Sequence, residues 1–190
     1  SAVNYDSTLM PVLIADFEKL RDVLAGVPRR HFEWNFGALQ RIVAQPFAFD
    51  LETTTPEVAG RFAPSLAHPI GAAWASRVEN SVVATYEHAR SITQWRAALE
   101  SNDVIKYCHN TKFEHLVLAN VGVTLHNVHD TKVMAYVLGY RDTQLKSLTG
   151  EVLGVKQLRY DEWDQVDPMY PCGDAAYTYL LAEELLRELD

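Results

Sequence analysis

Cysteine is scarce in this chain. Cys108 and Cys172 are its only two among 190 residues, and they form no CxxC pair. Neither a disulfide framework nor a cysteine zinc site is indicated, and a reducing cytoplasm is the expected setting. Long apolar runs are missing too: 48% of the residues are hydrophobic, yet no stretch approaches the roughly 18 uninterrupted apolar residues of a membrane span. No basic stretch followed by an apolar one opens the sequence, so no secretory leader is expected. Positive charge is outnumbered, with 17 Lys and Arg against 25 Asp and Glu for a net −8. That balance argues against a protein that coats nucleic acid through a broad basic surface. Internal repeats and low-complexity linkers are absent.

What remains fits one compact domain over 1–190 with a full core. Its charge is uneven. Residues 106–159 carry seven Lys or Arg against four acids, whereas 160–190 carry nine acids against Arg187. A basic middle could meet a phosphate chain, and an acidic tail would face elsewhere or bind metal.

Leu13, Phe17, Leu20, Val23 and Leu24 recur at helical spacing before Gly26 and Pro28, which predicts an amphipathic helix over 13–27 after a short edge strand over 2–10. Residues 28–45 read as a loop and a second short helix. Pro56, Gly60, Pro64 and Pro69 mark 56–70 as a loop. Strands over 70–78 and 81–89, joined by a turn at Glu79 and Asn80, would lie antiparallel to 46–51. Then come a capped helix over 91–101, a strand over 104–110, and helices over 111–122, 130–139 and 145–154. A last helix runs from about Pro171 to Leu186. Strands first and helices later predict an α/β domain with one mixed sheet.

The stretch that organises this pattern is PFAFDLETTT, residues 46–55. An apolar strand runs into Asp50 and Glu52, and the period of two puts both carboxylates on one face while Leu51 turns into the core. Carboxylates that close raise each other's pKa unless a cation lies between them, and a hard divalent metal is the economical one. Acidic residues facing water at a strand end are the plain alternative.

Two later segments could complete a site. Glu114 in HNTKFEH lies in the first turn of a helix, and in MYPCGDAAY the i, i+4 spacing puts Tyr170 and Asp174 on one helical face. Asp50, Glu52, Glu114 and Asp174 would then be four carboxylates around two divalent ions, a pair that activates a water and stabilises the leaving oxygen of a phosphodiester. Tyr170 would orient that water. Singly, each has an ordinary explanation: the helix dipole for Glu114 and Asp174, core packing for Tyr170. Their order along the chain carries the reading.

That order resembles the three motifs of the DEDD-type 3′–5′ exonucleases in the tyrosine subtype, in particular the proofreading domain of family A DNA polymerases. FDLETT, NTKFEH and YPCGD match the three motifs in turn; GAAWA and DTKVMAYVLG also resemble that family. The resemblance implies an RNase H-like mixed sheet flanked by helices, two Mg²⁺ or Mn²⁺ ions, and removal of nucleotides from the 3′ end of single-stranded DNA. A polymerase domain in the same chain or complex would be the partner. It also implies roles: Asp50, Glu52 and Asp174 on the first metal, Asp50 reaching the second, Tyr170 and Glu52 on the water. Asn110, Lys112 and Thr53 would support the bound strand.

The family has Asp where Glu114 stands, and an added methylene displaces a carboxylate by more than the ~0.5 Å a preorganised site tolerates. Pro171, directly after Tyr170, is expected to hold Tyr170 out of helical geometry. Two other functions share these motifs: a catalytically impaired domain that binds DNA ends or supports a polymerase, and an RNA 3′-processing exonuclease. His126 and His129 in HNVHD do not make a zinc or histidine–aspartate phosphohydrolase site, which needs further ligands on an all-helical scaffold. Phe113, Tyr107 and Trp163 are candidates to stack on a terminal base.

Overall fold

A computed structural model describes residues 14, 17, 20–21, 24–25, 32–37, 45–157 and 167–190. The chain divides into two compact units, Ser1–His31 and Phe32–Asp190. In the first, Ile14, Phe17, Leu20, Arg21 and Leu24 are helical, in agreement with the helical spacing of that segment. The edge strand expected over 2–10 and residues 38–44 lie outside the described residues.

The second unit is built on a six-stranded sheet with order β1-β6-β5-β2-β7-β8. Its strands are β1 (Trp34–Phe36), β2 (Phe47–Thr53), β5 (Pro69–Val78), β6 (Ser81–His88), β7 (Lys106–Cys108) and β8 (Val128–Asp130). A two-residue ribbon, β3 (Glu57–Val58) and β4 (Arg61–Phe62), and a 3₁₀ turn at Pro64–Leu66 occupy most of the expected loop. β2, β5 and β6 run antiparallel, whereas β7 and β8 continue parallel to β2, and β1 lies parallel to β6. Within 28–45, expected as a loop and then a short helix, the loop is corrected at Trp34–Phe36, where pairing with β6 satisfies the backbone.

Among the described residues of this unit the helices are α1 (Ile92–Glu100), α2 (Thr111–Ala119), α3 (Thr131–Val137), α4 (Leu145–Leu148) and α5 (Met169–Leu189). Among the described residues no helix is long and apolar enough to cross a membrane. Alternation along β2 decides which helix each side chain meets. Phe47, Phe49 and Leu51 join Trp74, Trp95, Val117 and Leu118 under α1 and α2, where the Trp74 and Trp95 rings stack at 4.0 Å. Ala48 shares the other face with Ala73 and Ala75 of β5 and with Ala175, Ala176, Leu180 and Leu185 of α5. Small residues on both sides let α5 lie close against the sheet, so the face that buries Ala48 also carries Asp50 and Glu52 toward the first turns of α5.

Lys106 ties the α1 side together. Its side chain is fully buried, and the ammonium donates to the carbonyls of Ala98, at 3.1 Å, and Ser101, at 2.6 Å, at the end of α1. A cation suits a helix C-terminus, where the last carbonyls lack intrahelical partners. Lys106→Met keeps the stem but strands both oxygens, so it should cost about 1–3 kcal/mol. A lower urea midpoint at unchanged slope would register this, and an unmoved midpoint would refute the capping role.

Candidate active site

The site lies where β2 ends and α5 begins. β2 pairs Asp50 with Ala73 and Glu52 with Gly71, and the register shifts between Glu52 and Thr53, ending the regular ladder beside the carboxylates. Gly71 is there for space: a Cβ built on it would stand 1.9 Å from the Tyr86 hydroxyl. Only glycine lets the Tyr86 ring lie across β5 toward Glu52. Burial first, and then the charge of Glu52, hold the Tyr86 proton more tightly than usual.

On α5, Pro168 leads into the first turn and the Asp167 carboxylate accepts from the Met169 N–H at 2.9 Å. Tyr170 is helical, contrary to the expectation drawn from Pro171. A proline in the first turn lacks only an N–H that would have had no intrahelical partner, so the helix absorbs it. Tyr170 and Asp174 consequently share one face and are hydrogen-bonded to each other.

The carboxylates crowd one another. Asp50 is raised well above the usual carboxylate range by burial first, then by the charges of Asp174, Glu114 and Glu52. Burial and Asp174 raise Glu52 as well, and burial pushes Asp174 up to about 6 against the pull of Lys146 and Tyr170. The Tyr170 hydroxyl is also raised, chiefly by burial and then by Asp174 and Asp50, so at neutral pH it is a phenol. Lys146 is the counterweight, lowering Asp50, Glu52 and Asp174 alike. Its Nζ donates to the Tyr170 hydroxyl at 2.8 Å and stands 4.1 Å from the ring centre.

The sequence singled out neither Lys146 nor its surroundings. Asp142 anchors the start of α4 by accepting from the Gln144 N–H at 3.0 Å and the Ser147 hydroxyl at 2.6 Å. A π turn, Thr149–Leu153, then replaces the rest of the helix expected over 145–154 and ends at Gly154 with φ +68°. Seven cations populate the basic middle of the chain, and only the fold shows which one faces the carboxylates.

Glu114 occupies a different niche. It is 2% exposed, engages the Cys108 thiol, and leaves Oε2 without a hydrogen-bond partner. Burial is the main force that pushes it up to about 8. Its helix is fixed from outside: Asp130 accepts from the N–H groups of Asn110 at 3.0 Å and Thr111 at 2.8 Å at the start of α2. The same carboxylate accepts from the Lys132 N–H at 2.9 Å at the start of α3. Asn110 takes the left-handed conformation, φ +70°, at the cap of α2.

Asn110 and Lys112 are exposed at the same end of α2, and Thr53 at the end of β2 is half-buried. Of the stacking candidates, Tyr107 is packed in the core against Tyr179, which corrects that expectation. Phe113 is half-buried 6.0 Å from Phe62, and Trp163 is outside the described residues. Among the described residues no three His, Cys, Asp or Glu side chains close on a common point. The donors are nevertheless all oxygens, mutually repelling, with an orphaned Glu114 oxygen beside them. A hard divalent ion suits that set and would draw it together.

Carboxylates at the end of a central strand and on the first turns of a crossing helix define a phosphodiester-cleaving nuclease of the RNase H-like kind. Residues 37–190 match the family model described as 3′–5′ exonuclease, of the DNA polymerase A type, and the chain belongs to that family. Among curated protein sequences none matches. Solved structures match in fold. The Pol1 polymerase of M. smegmatis in complex with DNA primer-template and dNTP is 20% identical at TM-score 0.59, over 75% of this chain and 24% of that one. Brucella melitensis NrnC with bound Mg²⁺ is 18% identical at 0.59, over 84% and 82%. Escherichia coli RNase D, an exoribonuclease involved in structured RNA processing, is 16% identical at 0.58, over 75% and 39%. The chain thus spans about a quarter of the polymerase and most of NrnC.

The raised carboxylates set a pH dependence. Folded values of about 6 for Asp174 and about 8 for Glu114 lie above the ordinary 3.8 and 4.5. Each group stabilises the metal-free fold while protonated, and that stability is lost as pH rises through the folded value. In EDTA, Tm should therefore fall between pH 4.5 and pH 8, and Glu114→Gln should flatten the upper part of the fall. Parallel Tm–pH curves for the two proteins would contradict the placement of Glu114.

Proposed function

We propose that this 3′–5′ exonuclease hydrolyses DNA from the 3′ end of a single strand, with two divalent ions, Mg²⁺ or Mn²⁺. The observation that carries the reading is that buried Asp50 feels the charges of Asp174, Glu114 and Glu52 together, with Lys146 opposing them and bonded to Tyr170. The polymerase A type of the matched family and the Pol1 likeness favour DNA. A polymerase module in the same chain or complex would fit that context.

Asp50, Glu52 and Asp174 would hold one ion, and Asp50 with Glu114 the other. The ions would supply an activated water and charge stabilisation at the leaving 3′ oxygen. The protein's own part is positioning. Because Lys146 donates to the Tyr170 oxygen, the phenol's proton is left to point at Asp174 or at a water beside it. Tyr170 gives that proton to Asp174 here; with Asp174 engaged by an ion, the phenol would offer it to the attacking water, and Glu52 would accept from that water. Lys146 also keeps Asp174 and Glu52 more ionised than burial alone would, which readies them for metal near neutral pH. Glu114 is the member whose proton must leave before it can bind a cation. Asn110, Lys112 and Thr53 would line the path of the strand.

Matched 5′-labelled deoxy and ribo strands with Mg²⁺, Mn²⁺ or EDTA test the reading. It expects the DNA strand to shorten from its 3′ end faster than the RNA, with all cleavage lost in EDTA and in Asp50→Ala. Faster loss of the ribo strand would make it an RNA 3′-processing enzyme. No cleavage by a folded protein that still binds the strand would make it a binding module.

Lys146→Met should lower kcat on the order of tenfold to a hundredfold, the usual loss when a group that orients a ligand or catalytic side chain is removed. Single-turnover rates at saturating Mg²⁺ would measure it, and a wild-type rate would remove Lys146 from the mechanism.

A further inference from the structure

A crevice of 150 Å³ runs along the start of α5, with Asp174 and Tyr170 of the carboxylate site in its wall beside Trp34, Lys156, Gln157 and Tyr177. Gln157 is the unusual member. It is 8% exposed, and both its Oε1 and Nε2 are buried without a hydrogen-bond partner. Buried amides are nearly always paired, because leaving both a donor and an acceptor unmet is costly. A side chain kept in that state against a cavity is matched to something that enters the cavity.

The walls show what shape would enter. The Trp34 indole is hydrogen-bonded to Tyr177, which holds its ring in place. Gly173 lies opposite: a Cβ built there would stand 3.7 Å from Trp34 Cζ2, so the space next to the indole is in part the side chain that glycine lacks. An indole wall, a glycine wall and an amide at the end fit a flat heterocycle that carries adjacent donor and acceptor atoms. Lys156 is exposed at the mouth, and a wider groove of 540 Å³ continues past it along Lys146 and Ser147. A chain of phosphates could follow that groove.

We propose that this crevice is a base-binding subsite. One nucleobase of the strand whose 3′ end lies over Asp174 enters it, lies against Trp34 and pairs its edge with Gln157. Adenine suits the amide best, giving its N6–H to Oε1 and accepting at N7 from Nε2. Lys156 meets the neighbouring phosphate. The assignment rests on the exonuclease reading for the identity of the strand, though not for the chemistry of the pocket.

The test needs no catalysis. In EDTA, calorimetric or NMR titration compares deoxyadenosine with thymidine, and anisotropy compares single strands that differ only in A or T at one of the last three positions. Wild-type protein should prefer deoxyadenosine, and the strand with A at one position, on the order of tenfold. Gln157→Leu should erase both preferences with Tm retained. Should Gln157→Leu not fold, Gly173→Ala is the second variant: its methyl makes an ordinary contact with Trp34 and should weaken deoxyadenosine binding. Equal affinity for the two nucleosides, or a preference that survives the variant, overturns the subsite. A nucleoside preference with no counterpart among the strands overturns its assignment to the substrate. Base discrimination in a protein that cleaves no strand would instead sink the exonuclease reading and leave the subsite standing.

Discussion

Negative charge gathered in a confined space is the constraint on which this structure turns. Asp50, Glu52 and Asp174 share a half-buried floor, and without a metal two things hold them together: protons retained above the normal carboxylate range, and the ammonium of Lys146. Neither comes from β2, which supplies the first two carboxylates. The proton retention comes from the close lid of α5 over an alanine-lined sheet, and the ammonium from a short helix pinned by Asp142. The apparatus around the carboxylates thus substitutes for the ions the carboxylates are suited to bind.

Period-two and period-four patterns carry a great deal of this. Asp50 and Glu52 on one face, Leu51 in the core, and Tyr170 with Asp174 on one helical face follow from spacing alone, and the antiparallel β2-β5-β6 centre follows from apolar strands broken by turn residues. What was not legible depends on tertiary partners. β1 and β8 are three residues long, too short to show alternation, and exist because a neighbouring strand offers them hydrogen bonds. Pro171 misled because the rule for the residue before proline weakens at a helix start. Lys146 was one cation among several, and Gln157 carries no local signal at all: its unpaired state is a property of the cavity.

Glu114 shows how a motif position can match in order and differ in setting. Its carboxyl engages the Cys108 thiol, which belongs to the cluster under α1 and α2, while its charge still acts on Asp50. Burial then dominates its chemistry. The surroundings of Glu114 are therefore the part of the apparatus most dependent on pH and on the packing around Cys108, and the Asp50, Glu52 and Asp174 group the part most dependent on Lys146.

Asp130 ties the start of α2 to the start of α3 through backbone N–H groups only. A tie made to main-chain donors does not read the side chains that carry them. Substituting Thr111 or Lys132 would accordingly leave these ties to Asp130 in place. Asn110 has less latitude, since its left-handed backbone favours asparagine or glycine. One carboxylate thus sets the spacing of two helix starts without depending on which side chains they carry.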